Sequence, residues 1–366
     1  MTGPQNPEVD ATYRRAHEVA VAQGDQAAIF KAVWGFWFTA TMCRRLDESS
    51  TRAQELLELG KQSTDPDLLL EAFHCTWSTA IHRGDQRAAF DAAREGLARY
   101  DPAIHGWMGA VFGGHDPGVC AHATQAAVYG LSGLPQRSRE CIERAIALAE
   151  FLKHPPTLTQ ALQTAMVAAQ YARDPGEVHR HTKRMLELAD RYNLIPQRAH
   201  ARFHSGWATA FGGDVETGLG VMEAEFPRAS NGPLYRYYAA LLAEVRAGAG
   251  RWADALAVVE AALKTVTDPR VGMYVPELHR LQGECLLRLE PDNSEAGQRA
   301  ILTAMETARA QSAPLLELRA AVSFVRACTA AIAAPEALRR LRDVIAHLPD
   351  EFQAREFEEA RRLLPA

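Results

Sequence analysis

Residues 131–162, LSGLPQRSRECIERAIALAEFLKHPPTLTQAL, decide the fold. A glycine turn opens the stretch. A helical pattern follows, with apolar residues recurring at i, i+3, i+4 and i+7 along RSRECIERAIALAEFL. The stretch then meets Pro156 and a second helical pattern begins. Proline fits the first turn of a helix, where its missing N–H has no intrahelical partner to lose. The stretch therefore reads as helix, stop, helix.

Working outward, the same punctuation returns. Prolines stand at Pro66, Pro117, Pro156, Pro196, Pro233, Pro276 and Pro314. After a first interval of 51 residues, the spacings are 39, 40, 37, 43 and 38. A second landmark, a tight turn, falls between them at Gly84, Gly133, near Asp174, at Gly213, at Gly250 and near Pro291. Five residues beyond it stand Ala89, Ser138, His179, Gly218, Ala255 and Ala296, nearly all small, as a closely packed second helix requires. A period near forty residues with this layout predicts an all-α, right-handed superhelical solenoid of seven to eight helical hairpins, tetratricopeptide-like. No linker-like tract interrupts it, so one repeat domain is expected over 1–366. It carries an inserted loop at 101–116 and a C-terminal capping helical segment at about 335–366.

Composition narrows the function classes. The 366 residues are 47% hydrophobic and carry a formal net charge of −5. The lack of basic excess leads to an expectation of no nucleic-acid partner. No run of 18 apolar residues exists, so no membrane partner is expected. The N-terminal MTGPQNPEVDATYRRAHEVA has no apolar h-region and does not read as a signal peptide. The six cysteines are scattered without a CxxC unit, which points to free thiols in a cytoplasmic protein.

The stretch FGGHDPGVCAH, residues 112–122, looks most like a site. Asp116 directly before Pro117 reads as a helix N-cap. His115, Cys120 and His122, with His105 as a fourth, would be the metal alternative. The spacing His-x4-Cys-x-His matches no common zinc pattern, so the expectation is no metal and no cofactor. Nucleotide-loop, nucleophile-elbow and zinc-helix motifs are missing from the sequence, so no catalytic residue is assigned.

The order of motifs resembles the tetratricopeptide-like C-terminal region of bacterial ATPase and adenylate/guanylate-cyclase fusion proteins. It is similar, more loosely, to the helical arm of regulatory ATPases of the MalT type. LARYDPAIHGWMGAVFGGHDPGVCAH, GWATAFGGDVETGLGVM, YYAALLAEVRAGAGRWADAL and PELHRLQGECLL carry the resemblance, which runs from about residue 10 to 330. The ATPase and cyclase domains of such proteins are not in this sequence. The resemblance implies a non-catalytic sensing or docking arm of a signalling system.

The expected function is an interaction scaffold that binds a peptide or partner protein in the concave groove. The alternatives are a small-molecule sensor or an enzyme that has co-opted the groove. First helices of hairpins would line that groove, which selects His74, His122, His204, Arg236, His279 and Glu284. Trp107 and His115, on the 101–116 loop, are the further binding candidates and would form the lid of a sensor.

Overall fold

The structure, a computed structural model, describes residues 7–265, 268, 270–291, 294–328 and 334–364. The start of the expected domain (1–6), Asp292 and Asn293 of the turn near Pro291, and the last two residues of the C-terminal segment lie outside them. The described residues form α-helices and turns, and no strand occurs among them. The helices run α1 (Pro7–Gln23), α2 (Gln26–Met42), α3 (Leu46–Gln62), α4 (Pro66–Arg83), α5 (Gln86–Leu97), α6 (Pro102–His105), α7 (Met108–Val111), α8 (Pro117–Leu131), α9 (Pro135–Leu152) and α10 (Pro155–Tyr171). They continue with α11 (Pro175–Arg191), α12 (Ile195–Phe211), α13 (Val215–Ala229), α14 (Tyr235–Gly248), α15 (Trp252–Leu263), α16 (Val275–Leu289), α17 (Ser294–Ala310), α18 (Pro314–Cys328), α19 (Ala334–Ala346) and α20 (Arg355–Leu363).

Each hairpin is closed by local chemistry. Gly84, Gly133, Gly213 and Gly250 take positive φ at the turns, a conformation glycine adopts at no steric cost. Where glycine is missing, Arg44, Lys153, Arg173, Asn193 and Ser312 occupy the left-handed region instead. Asp25, Asp65, Asp85, Asp174 and Asp214 cap the helices that follow, each carboxylate accepting a free backbone N–H of the first turn.

The small residues after the turns sit where expected in four hairpins: Ala89, Ser138, Gly218 and Ala255 are buried. In the two turns without glycine the register is one residue off. His179 is exposed and its neighbour Val178 is buried, because Arg173 rather than Asp174 holds the left-handed position. Gly297, not Ala296, makes the close approach, its backbone facing Gly283 and Leu287.

The chain packs as two compact units, Met1–Gln125 with Cys141–Ala161, and Ala126–Glu140 with Leu162–Ala366. The first unit is built on a core of Phe30, Val33, Trp34, Trp37, Leu56, Leu70, Met108 and Phe112. The expected 101–116 insertion is thus pinned from within: Met108 and Phe112 are buried while Trp107 stays exposed. In the second unit α19 and α20 both pack on α18, and the segment between them reaches the turn at Gly133. Phe352 packs on Gly133, the Gln353 N–H donates to Gly133 O at 2.8 Å, and Glu351 pairs with Arg137.

Candidate functional site

In the first unit, α4 supplies Glu71, His74, Cys75 and Trp77 to a buried face. The N–H of Trp34 donates to Glu71 Oε1 at 2.8 Å, and Glu71 Oε2 lies 3.1 Å from His74 Nδ1. The other ring nitrogen, His74 Nε2, lies 3.1 Å from His115 Nε2. Cys120, in the first turn of α8, completes the cluster. One donor atom each from His74, His115 and Cys120 lies within 4.8 Å of the others. The Trp77 indole N–H donates to the Cys120 sulfur at 3.4 Å.

The loop leading into α8 is fixed by Asp116. Its Oδ1 accepts from the Val119 N–H at 2.9 Å, and its Oδ2 from the Tyr100 hydroxyl at 2.9 Å. Its own N–H donates to Thr157 Oγ1. Burial opposes charge on both His74 and the Cys120 thiol, but the charges face each other. Glu71 and Cys120 hold the His74 pKa well above the usual histidine range. His74 and His115 hold the Cys120 thiol well below its usual range.

In the second unit, charged and aromatic groups fill the helix faces that meet one another. Arg280 forms a bidentate pair with Glu277 at 3.0 and 2.6 Å and reaches Glu284 at 2.7 Å. Ser323 donates to the same Glu284 oxygen. Arg319 contacts Glu356 of α20 at 2.7 Å, the Tyr171 carbonyl at 2.9 Å and the Tyr274 hydroxyl at 3.3 Å. Arg173 reaches Glu356 at 3.3 Å and Glu244 at 2.6 Å. Tyr171 stacks on Tyr274, and Tyr237 meets both edge-on. The His204 Nδ1–H donates to the His200 carbonyl, which leaves Nε2 to accept from the Tyr237 hydroxyl at 3.1 Å.

The residues selected from sequence divide between the units. His74 and His115 meet directly. Trp107 is exposed, and His122 is half-buried outside the His74–His115–Cys120 cluster. His105 is likewise outside it, 3.3 Å from Asp67. His204 is fully buried, Arg236 is buried and donates to Thr265 O, and Glu284 joins the Arg280 network. His279 is half-buried beside Gln282. Sequence reasoning missed Glu71, Glu277, Arg280, Arg319, Arg173 and Glu356. The signal for some of them was present: charged residues inside the apolar runs PELHRLQGECLL and PLLELRAAVSF.

No family model matches the chain. An uncharacterized protein of Rhizobium meliloti (strain 1021) is 28% identical over 324 residues, 84% of this chain. The match spans 30% of the length of that relative. Among solved structures, the Rap protein complexed with Competence and Sporulation Factor superposes with a TM-score of 0.65 at 13% identity, over 94% of each chain. NprR in complex with its cognate peptide NprX gives 0.55 at 11% identity, over 91% of this chain and 95% of that one. The fold is a tetratricopeptide-like array of helical hairpins.

One expectation is overturned. Net charge led to the exclusion of nucleic acid. Yet human IFIT1 was solved with m7Gppp-AAAA, and an IFIT1 mutant solved with Gppp-AAAA shares this fold at a TM-score of 0.51, over 96% of this chain and 76% of that one, at 11% identity. A nucleic-acid ligand is thus compatible with the architecture. Net charge sums the whole surface and does not describe any one face of it. Among the described residues, no helix is long and apolar enough to cross a membrane.

Proposed function

We propose that the chain is a non-catalytic docking arm that recognises a peptide or a helical segment of a partner protein on the helix faces of its second unit. One observation carries the reading. Arg173 and Arg319, far apart in sequence, converge on a single carboxylate, Glu356, presented by the short helix α20. An acidic helical segment is the chemistry such paired guanidiniums hold, since a planar fork matches a carboxylate. The likeness to NprR, solved with its cognate peptide, supports this reading at the level of fold.

The chain's own sequence supplies the probe. A labelled peptide of residues 349–364 is titrated against the full chain and against its Glu356→Gln variant. In the variant the arginines no longer hold an internal carboxylate, so the peptide should bind more tightly than to the parent. Arg173→Ala in the variant background should remove that gain. A peptide that ignores both the variant and the parent would sink the reading.

A further inference from the structure

We propose that His74, His115 and Cys120 form a site for a zinc-class divalent cation, with a fourth coordination position left for an exogenous ligand. The site lies wholly in the first unit and is independent of the docking reading above.

The donor set comes first. Two imidazole nitrogens and one sulfur converge from α4, the loop before α8 and α8 itself, all within 4.8 Å of one another. Zinc bonds of about 2.0–2.1 Å to nitrogen and about 2.3 Å to sulfur put tetrahedral ligand atoms roughly 3.3–3.6 Å apart. The two Nε2 atoms, 3.1 Å apart, are already close to that separation.

The surrounding shell is built for coordination. Glu71 is held by the Trp34 N–H and faces His74 Nδ1. That carboxylate accepts from Nδ1–H and so turns Nε2 toward His115, where a cation would take the place of the Nε2 proton. A carboxylate behind a metal-binding histidine orients the ring and raises its basicity in the same way. Cys120 Sγ accepts from the Trp77 N–H at 3.4 Å and faces Gln160 Nε2 at 3.9 Å, donors suited to a thiolate.

Exposure locates the fourth position. His74 and Cys120 are buried while His115 is half-buried, so the open position faces outward on the His115 side.

The test uses the full chain, treated with a chelator and then titrated with Co2+ as the probe. One equivalent should bind with the strong ligand-field absorption of a tetrahedral site and a thiolate-to-cobalt charge-transfer band, and Zn2+ should displace it. Cys120→Ser should remove the charge-transfer band, whereas Cys43→Ser should keep it. Glu71→Gln should retain the spectrum but weaken binding about 10–100-fold. If Cys120→Ser does not fold, His115→Ala decides, because that ring sits at the partly exposed edge. Its helical circular dichroism should persist while the cobalt spectrum is lost. No tetrahedral absorption in the parent chain, or a spectrum unchanged in the foldable ligand variants, overturns the proposal and leaves a hydrogen-bonded imidazolium–thiolate pair.

Discussion

Glu356 of the C-terminal helix lies 2.7 Å from the guanidinium of Arg319, whose side chain is 3% exposed. The pair ties the end of the chain to α18, and through Arg173 to the turn before α11. Removing one partner of a buried pair leaves an uncompensated charge, so Glu356→Ala should cost about 3–5 kcal/mol. Burial alone would raise the Glu356 pKa, but Arg319 and Arg173 outweigh it and bring it down to about 2. A carboxylate depressed in the folded state stabilises fully above its ordinary value of 4.5, and loses that contribution as pH falls toward 2. Denaturant midpoints of parent and variant should therefore converge below pH 4. A constant difference across that range would refute the assignment.

A second pH dependence has its origin on α12. Burial holds His200 at about 3 and His204 at about 4, both below the ordinary 6.5. The unfolded chain then binds more protons than the folded one between those values, so stability rises with pH across the window. It is complete above 6.5 and is lost on acidification. For the two residues together the loss between pH 6.5 and 5 should be roughly 3 kcal/mol. Urea unfolding of parent and His204→Gln, compared at the two pH values, checks it. The variant should show a shallower dependence, and equal slopes would count against a neutral buried His204.

Much of the fold was legible because hairpin chemistry is local. Prolines at first turns, left-handed glycines and capping aspartates are all written in short stretches, and Ala89, Ser138, Gly218 and Ala255 followed from them. The register slipped at His179, where Arg173 and not a glycine holds the left-handed position, and by one residue at Ala296. The candidate sites were less legible. His115 and Cys120 were visible as neighbours, but His74 lies 41 residues before His115 and meets it only because adjacent hairpins stack. Glu356 reaches Arg173 across 183 residues, a relationship no spacing pattern carries.

The α12–α13 hairpin offers a paired test of close packing. A Cβ at Gly218 would run into the Gly206 carbonyl oxygen and lie 2.5 Å from the Ala210 backbone nitrogen. Backbone cannot swing aside as a side chain does, so Gly218→Ala should cost about 1–3 kcal/mol by overpacking. Gly220, two residues on, has nothing within 4 Å of a built Cβ. Gly220→Ala should instead stabilise by about 0.5–1 kcal/mol through helix propensity. Melting temperatures should move in opposite directions, and a shared direction would mean the two helices pack differently.

Asp116 separates architecture from chemistry at the edge of the proposed metal site. Its Oδ1 caps α8 through the Val119 N–H, and its Oδ2 accepts from Tyr100. Burial raises its pKa above the ordinary range, against the pull of those donors and of His74. A group whose charge is opposed by burial tolerates a neutral isostere. In Asp116→Asn the amide oxygen keeps the cap and the Tyr100 hydroxyl turns to accept from the amide nitrogen. Asparagine caps about as well as aspartate, so this change should be nearly neutral, whereas Asp116→Ala should cost roughly 0.5–2 kcal/mol. Asp116 is not among the three donors, so the asparagine variant should also take up one cobalt with an unchanged spectrum. Equilibrium unfolding and cobalt titration of the two variants read these outcomes separately. A stable Asp116→Asn chain that no longer binds cobalt would move Asp116 from the cap into the site itself.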